Sequence, residues 1–179
     1  MNWSWTTPVV EFRIVAEDGS ELPAREVGEL VIRMPGRERE YYRDPEATAR
    51  TWRADGLHTG DLGYLDEDGY LYIVGRIKDV IIRGGNNIHA ADVEAVLYEH
   101  PGVLEAAVAG IPHEVLGEDV AAWVVLRPGA RLASQELRAF CLERLADCKV
   151  PRRITFVDQL PRNPTGKVMK RQLVEQLEA

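Results

Sequence analysis

The chain has 179 residues, 45% apolar and 28% charged, enough material for one good core or two small ones. Its net charge of −7 argues against a nucleic-acid partner, which calls for a basic face, while leaving room for a local phosphate pocket. No apolar run reaches the length of a membrane span, and Met1 to Val10 lacks a basic stretch followed by an apolar one, so a cytoplasmic protein without a signal peptide is expected.

In chain order, Val9 to Val15 alternates apolar and polar residues around Phe12, Ile14 and Val15 and reads as a strand. Glu17-Asp18-Gly19-Ser20 is a turn. Gly28 to Met34 reads as a second strand, ended by Pro35 and Gly36. Tyr41 to Trp52 carries a helical pattern, with Asp44 as N-cap and Pro45 at the first helical position. Gly60 to Arg76 holds two short strands about the hairpin turn Asp66-Glu67-Asp68-Gly69. Residues 1–75 therefore read as small antiparallel β structure.

The texture changes after Arg76. Val80-Ile81-Ile82 is a short strand, Gly84-Gly85-Asn86-Asn87 a loop, and Ala91 to His100 a helix with Val93, Val96 and Leu97 on one face. Val103 to Ile111 is a strand, and the apolar run Val120 to Leu126 is a strand buried on both faces. Ser134 caps a helix with Leu137, Phe140, Cys141 and Leu145 inward. Ile154 to Val157 is a further strand and Lys170 to Leu177 a last helix. The fold class is thus α+β: a small antiparallel β subdomain, then residues 76–179 as a mobile α+β domain with a small sheet flanked by helices. The boundary, Gly75 to Asp79, is short and charged, which suits a hinge better than a free linker. The two cysteines, Cys141 and Cys148, have no His at metal-ligand spacing and read as reduced thiols.

Three segments carry chemistry. In Leu57-His58-Thr59-Gly60-Asp61 a carboxylate follows a glycine, where it can accept from two vicinal hydroxyls or satisfy turn amides. Gly75 to Ile88 sets Arg76, a fork for phosphate or hydroxyl oxygens, ahead of the close-approach glycines Gly84 and Gly85. Pro161 to Lys170 places Lys167 on a loop before the last helix. It is not a Walker A sequence, since Pro161 stands at the first glycine and Val168 at the Ser/Thr position.

In order and spacing these segments resemble the C-terminal part of the AMP-forming acyl-CoA synthetases and related adenylate-forming enzymes. His58-Thr59-Gly60-Asp61-Leu62-Gly63 is similar to that family's ribose motif, Gly75 to Ile88 to its hinge motif, and Pro161 to Lys170 to its lysine motif. Gly28-Glu29-Leu30, Asp44-Pro45-Glu46-Ala47-Thr48, Asp92-Val93-Glu94 and Leu116-Gly117-Glu118 fit between them. The resemblance implies that residues 1–75 end an incomplete N-terminal domain. It also implies an acid–thiol ligase using ATP, with AMP as product, coenzyme A and Mg²⁺, the metal held by none of the residues identified. Asp61, Tyr72 and Arg76 would bind the nucleotide, Lys78 would act as hinge, Gly84, Gly85 and Asn86 would help form the thiol tunnel, and Lys167 would serve adenylation.

His89 and Ala90 stand where the family has Tyr or Ser and then Pro, and His89 reads as a surface histidine. The family's upstream phosphate loop and acid pocket do not occur in this sequence. The chain is therefore expected to be inactive alone and to need an N-terminal adenylation domain, a carboxylic acid and coenzyme A. Its uncovered seam is a candidate homodimer contact. Alternatives are a stand-alone partner acting in trans and a non-catalytic binding or regulatory remnant.

Overall fold

The computed structural model describes residues 10–34, 36 and 39–178. The chain divides into two compact units, Met1–Lys78 and Asp79–Ala179. Val9 and Pro35, assigned above to a strand start and a strand end, lie outside the described residues.

The first unit is one antiparallel sheet with a short helix. Strands β1 (Glu11–Val15), β2 (Gly28–Arg33), β3 (Trp52–Arg53), β4 (Gly56–Leu65) and β5 (Leu71–Arg76) surround helix α1 (Pro45–Thr51) in sequence. The order is β1-β2-β4-β3, with β5 also on β4. Strand β4 begins at Gly56 rather than Gly60, because the register shift opposite Glu29 and Val31 absorbs the left-handed Gly60 within the strand. Helix α1 is shorter than the sequence pattern. Asp44 precedes a proline and takes a non-helical backbone, so the helix cannot extend upstream, and its carboxylate accepts the Ala47 N–H at 2.9 Å. Trp52 leaves the helix to pair with Leu57. Among the described residues Ile14, Val15, Leu30 and Val31 form the buried interior, joined by the polar side chain of His58.

The second unit contains β6 (Val80–Arg83), β7 (Asn86–His89), α2 (Ala90–Glu99), β8 (Val103–His113), β9 (Gly117–Leu126), α3 (Ser134–Leu142), β10 (Arg153–Phe156) and α4 (Lys170–Glu178). The sheet runs β10-β9-β6-β7, with β8 along β9. Only the β10–β9 pairing is parallel among the described strands. Strand β9 explains its own apolar run. Val120, Ala122 and Val124 pack with Val93 and Leu97 of α2 and Leu137 and Cys141 of α3. Ala121, Trp123 and Val125 pack with Leu160 and with Leu173 of α4. Both faces are covered, so alternation is lost.

Two further expectations are corrected in this unit. Only Gly84 and Gly85 form a loop; Asn86 and Asn87 already pair with Arg83 and Ile82 in a β6–β7 hairpin. Both glycines take positive φ (56° and 82°), as a two-residue hairpin turn requires. Ser134 does not cap α3 but opens it. Ala133 is the cap, and the Glu136 carboxylate accepts its N–H at 2.9 Å. Burial pushes the Cys141 thiol up to about 11, which makes it an inert core group.

Candidate functional site

Asp61 and Arg76 are brought together by the antiparallel register of β4 and β5, which pairs them directly. Arg76 Nε donates to Asp61 Oδ1 at 2.9 Å, and both side chains remain partly open to solvent. The backbone beneath Asp61 is fixed by side chains. The Thr59 hydroxyl donates to the Leu30 carbonyl at 2.9 Å and accepts the Asp61 N–H at 3.0 Å. Glu29 accepts the Gly60 N–H at 3.1 Å through one oxygen and faces His58 Nδ1 at 2.8 Å through the other.

Tyr72 is not part of this constellation. It pairs with Tyr64, stacks on it with ring centroids 4.9 Å apart, and donates to Asp66 Oδ2 at 3.2 Å. The Asp66 carboxylate holds its phenol above the usual value. Tyr64 and Asp61 are an odd step apart on β4 and so face opposite ways. A bulge in β5 passes over Val74, and Ile73, paired with Gly63, lies on the Asp61 face instead. Ile73 is half-exposed and offers an apolar surface there, which sequence reasoning missed.

His58 sits between two carboxylates, with Nε2 3.1 Å from Asp55 Oδ1 and only 4% of its side chain exposed. Burial pulls the Asp55 carboxyl upward. The His58 hydrogen bond, Asp55's own amide and the charges of His58 and Arg13 outweigh it and leave Asp55 below the usual carboxylate value. A depressed carboxyl adds stability that is fully present above the unfolded value, near about 3.9, and is lost as pH falls through the lower folded value. Melting temperature should therefore drop on acidification below about pH 4, with a shallower drop in Asp55→Asn. Equal slopes in the two proteins would remove Asp55 from the acid response.

Lys78 is exposed in a single 3-10 turn, Ile77–Asp79, and the division between the two units falls directly after it. In the second unit the turn at Gly84 and Gly85 projects from the sheet. Asn86 Nδ2 donates to the Arg83 carbonyl at 3.2 Å, and Gly84 N–H to Leu116 O at 2.9 Å. His89, read as a surface histidine, is half-buried at the cap position of α2, with a buried Nδ1 that has no partner among the described residues.

The Lys167 segment is a braced clip rather than a loose loop. Asn163 Oδ1 accepts from the Thr165 N–H at 3.1 Å, the Thr165 hydroxyl at 2.8 Å and the Lys167 N–H at 2.8 Å. The Lys167 carbonyl accepts the Asn163 N–H at 2.9 Å. Arg162 donates to the Gly166 carbonyl at 2.7 Å and pairs with Glu105 of β8, while Lys170 pairs with Glu94 of α2 at 2.8 Å. All of this leaves the Lys167 amine exposed, with no ion-pair partner among the described residues.

Among the described residues no group of three His, Cys, Asp or Glu side chains is placed to hold a metal ion. No helix among them is long and apolar enough to cross a membrane.

Residues 92–167 match the family described as the AMP-binding enzyme C-terminal domain. The chain is 48% identical to a 2-succinylbenzoate–CoA ligase of Geobacillus kaustophilus, over 89% of this chain and 32% of that one. It is 45% identical to a fatty acid–[acyl-carrier-protein] ligase of Streptomyces coeruleorubidus, over 93% of this chain and 32% of that one. The crystal structure of ATP-bound MatB from Rhodopseudomonas palustris aligns with a TM-score of 0.88 at 40% identity, over 96% of this chain and 34% of that one. The chain thus spans about a third of the length of the relatives it matches.

Proposed function

We propose that this chain, which belongs to the C-terminal portion of the AMP-forming acyl-CoA synthetase family, supplies the ribose-binding carboxylate, the hinge and the adenylation lysine of an acid–thiol ligase. In the first half-reaction a carboxylate oxygen attacks the α-phosphorus of ATP, the bond to pyrophosphate breaks, and an acyl-adenylate forms. In the second, a thiol sulfur attacks the acyl carbon and AMP leaves with the electrons of the acyl–oxygen bond. Activation is the point, because a carboxylate is a poor electrophile until its oxygen belongs to a good leaving group.

Asp61 accepts from the ribose hydroxyls, and Arg76, already docked on Asp61 Oδ1, spans from ribose to phosphate. Ile73 gives the nucleotide an apolar surface on the same face. Lys167 neutralises charge that develops at the attacked phosphate. Rotation at Lys78 exchanges Lys167 for the Gly84-Gly85-Asn86 turn between half-reactions. The domains follow from this: residues 1–75 close an N-terminal domain and residues 76–179 form the mobile one, working in the cytoplasm with coenzyme A as the thiol. The observation that carries the reading is the Asp61–Arg76 pair, held on adjacent strands with one carboxylate oxygen left for a ligand.

The test is acid-dependent ATP–pyrophosphate exchange by the chain alone and by the chain mixed with the N-terminal two thirds of a relative. Exchange is expected only in the mixture, and Asp61→Ala should raise its KM for ATP. Exchange by the chain alone would overturn the assignment as an incomplete ligase.

A further inference from the structure

Asp61 stands at the end of a short stretch whose backbone is unusual for a strand interior. Gly60 takes φ +70°, and β2 and β4 slip register beside it. Something must hold that kink, and the structure places a largely covered carboxylate there. Glu29, 17% exposed, bridges Gly60 N–H and His58 Nδ1. His58 in turn reaches Asp55 through Nε2. Arg13, from β1, donates from Nη2 to the Asp55 carbonyl at 3.1 Å, which ties down the turn that carries Asp55. The charged groups facing the ring are thus Glu29 of β2 and Asp55 of the β3–β4 turn, with Arg13 of β1 acting on Asp55.

We infer that Glu29 and His58 are positioning residues for Asp61: their buried contact fixes the Gly60 kink and so aims the Asp61 carboxylate at its ligand. The functional half of this rests on Asp61 being the ribose acceptor; the structural half does not. A carboxylate only accepts, so Glu29 can take the Gly60 N–H and the His58 Nδ1–H together. A glutamine keeps the Gly60 N–H on its oxygen and can donate its NH₂ to Nδ1 if the ring carries its proton on Nε2, whereas an alanine satisfies neither neighbour. The hydroxyl of Thr59, which accepts the Asp61 N–H, is a second brace on the same kink, so loss of the first should loosen the stretch without unfolding the sheet.

The test uses Glu29→Ala in the whole chain, with core signals from Ile14 and Val31 as the check on folding. The Gly60 amide is expected to exchange with solvent about tenfold faster, the size of one charge-assisted hydrogen bond. In the mixture with the N-terminal two thirds of a relative, KM for ATP should rise by a similar factor while kcat for exchange changes little. Unchanged Gly60 protection in the variant would overturn the inference. Faster Gly60 exchange with an unchanged KM would instead overturn the ribose role of Asp61. Should the variant fail to fold, the unsubstituted chain still decides. Ring-nitrogen NMR is expected to show a proton on His58 Nδ1, and a bare Nδ1 would sink the proposal.

Discussion

Lys167→Ala is expected to lower acid-dependent ATP–pyrophosphate exchange by about 10²- to 10³-fold in the reconstituted enzyme, the range for removing one charge-stabilising donor from a transition state. The structure makes this substitution unusually clean. The hydrogen bonds that shape the clip come from its backbone and from the side chains of Asn163, Arg162 and Thr165. The amine takes no part in them, so alanine removes charge without moving the loop. Thioester formation from a preformed acyl-adenylate should survive, because that step uses the Gly84-Gly85-Asn86 turn in the proposed cycle. Rapid-quench assays of the two half-reactions separate these outcomes. Equal losses in both would place Lys167 in general folding or assembly rather than in adenylation. Asn163→Ala is the natural companion. It leaves the amine in place but removes three hydrogen bonds from the clip, and it should lose exchange activity through disorder at Lys167.

Much of this was legible in the sequence because local rules and tertiary context agree. Asp44-Pro45 fixes the start of α1 by sterics and a cap, and the run Val120 to Leu126 announces a strand covered on both faces. The failures occur where a non-local partner decides. Asn86 and Asn87 have little strand preference of their own, and they become β7 because the Gly84-Gly85 turn folds them onto β6. On β5 the single bulge at Val74 brings Ile73 onto the Asp61 face, and no composition signal marks a bulge of this kind. Glu29 was visible only as connecting text between motifs. Its importance comes from a register that sets it beside His58 and Gly60, some thirty residues on in sequence.

The same dependence on a distant partner governs the hairpin in the second unit, and it makes Asp119→Ala the substitution with the largest expected effect on stability. Strand β6 meets β9 at a single ladder position, Arg83 opposite Gly117. Apart from the Gly84 N–H on the Leu116 carbonyl, the hairpin is anchored by side chains. Ile82 N–H donates to Glu118 at 2.7 Å, and Arg83 Nη1 donates to the Cys148 carbonyl at 2.8 Å. Arg83 Nε lies 2.8 Å from Asp119 Oδ1, with both side chains over nine-tenths buried. The Nε–H is not aligned on that oxygen, so the contact is a Coulombic pair more than a directed hydrogen bond. Removing the carboxylate leaves a guanidinium in a site with no compensating charge, which costs about 3–5 kcal/mol. That is a large part of the roughly 5–15 kcal/mol that holds a domain together. Urea unfolding of the chain should show the loss. Replacing both partners, as Arg83→Met with Asp119→Leu, should cost much less, because no charge is then stranded. A single substitution that shifts stability by less than about 1 kcal/mol would mean that water reaches the pair and that the hairpin is held by its backbone alone.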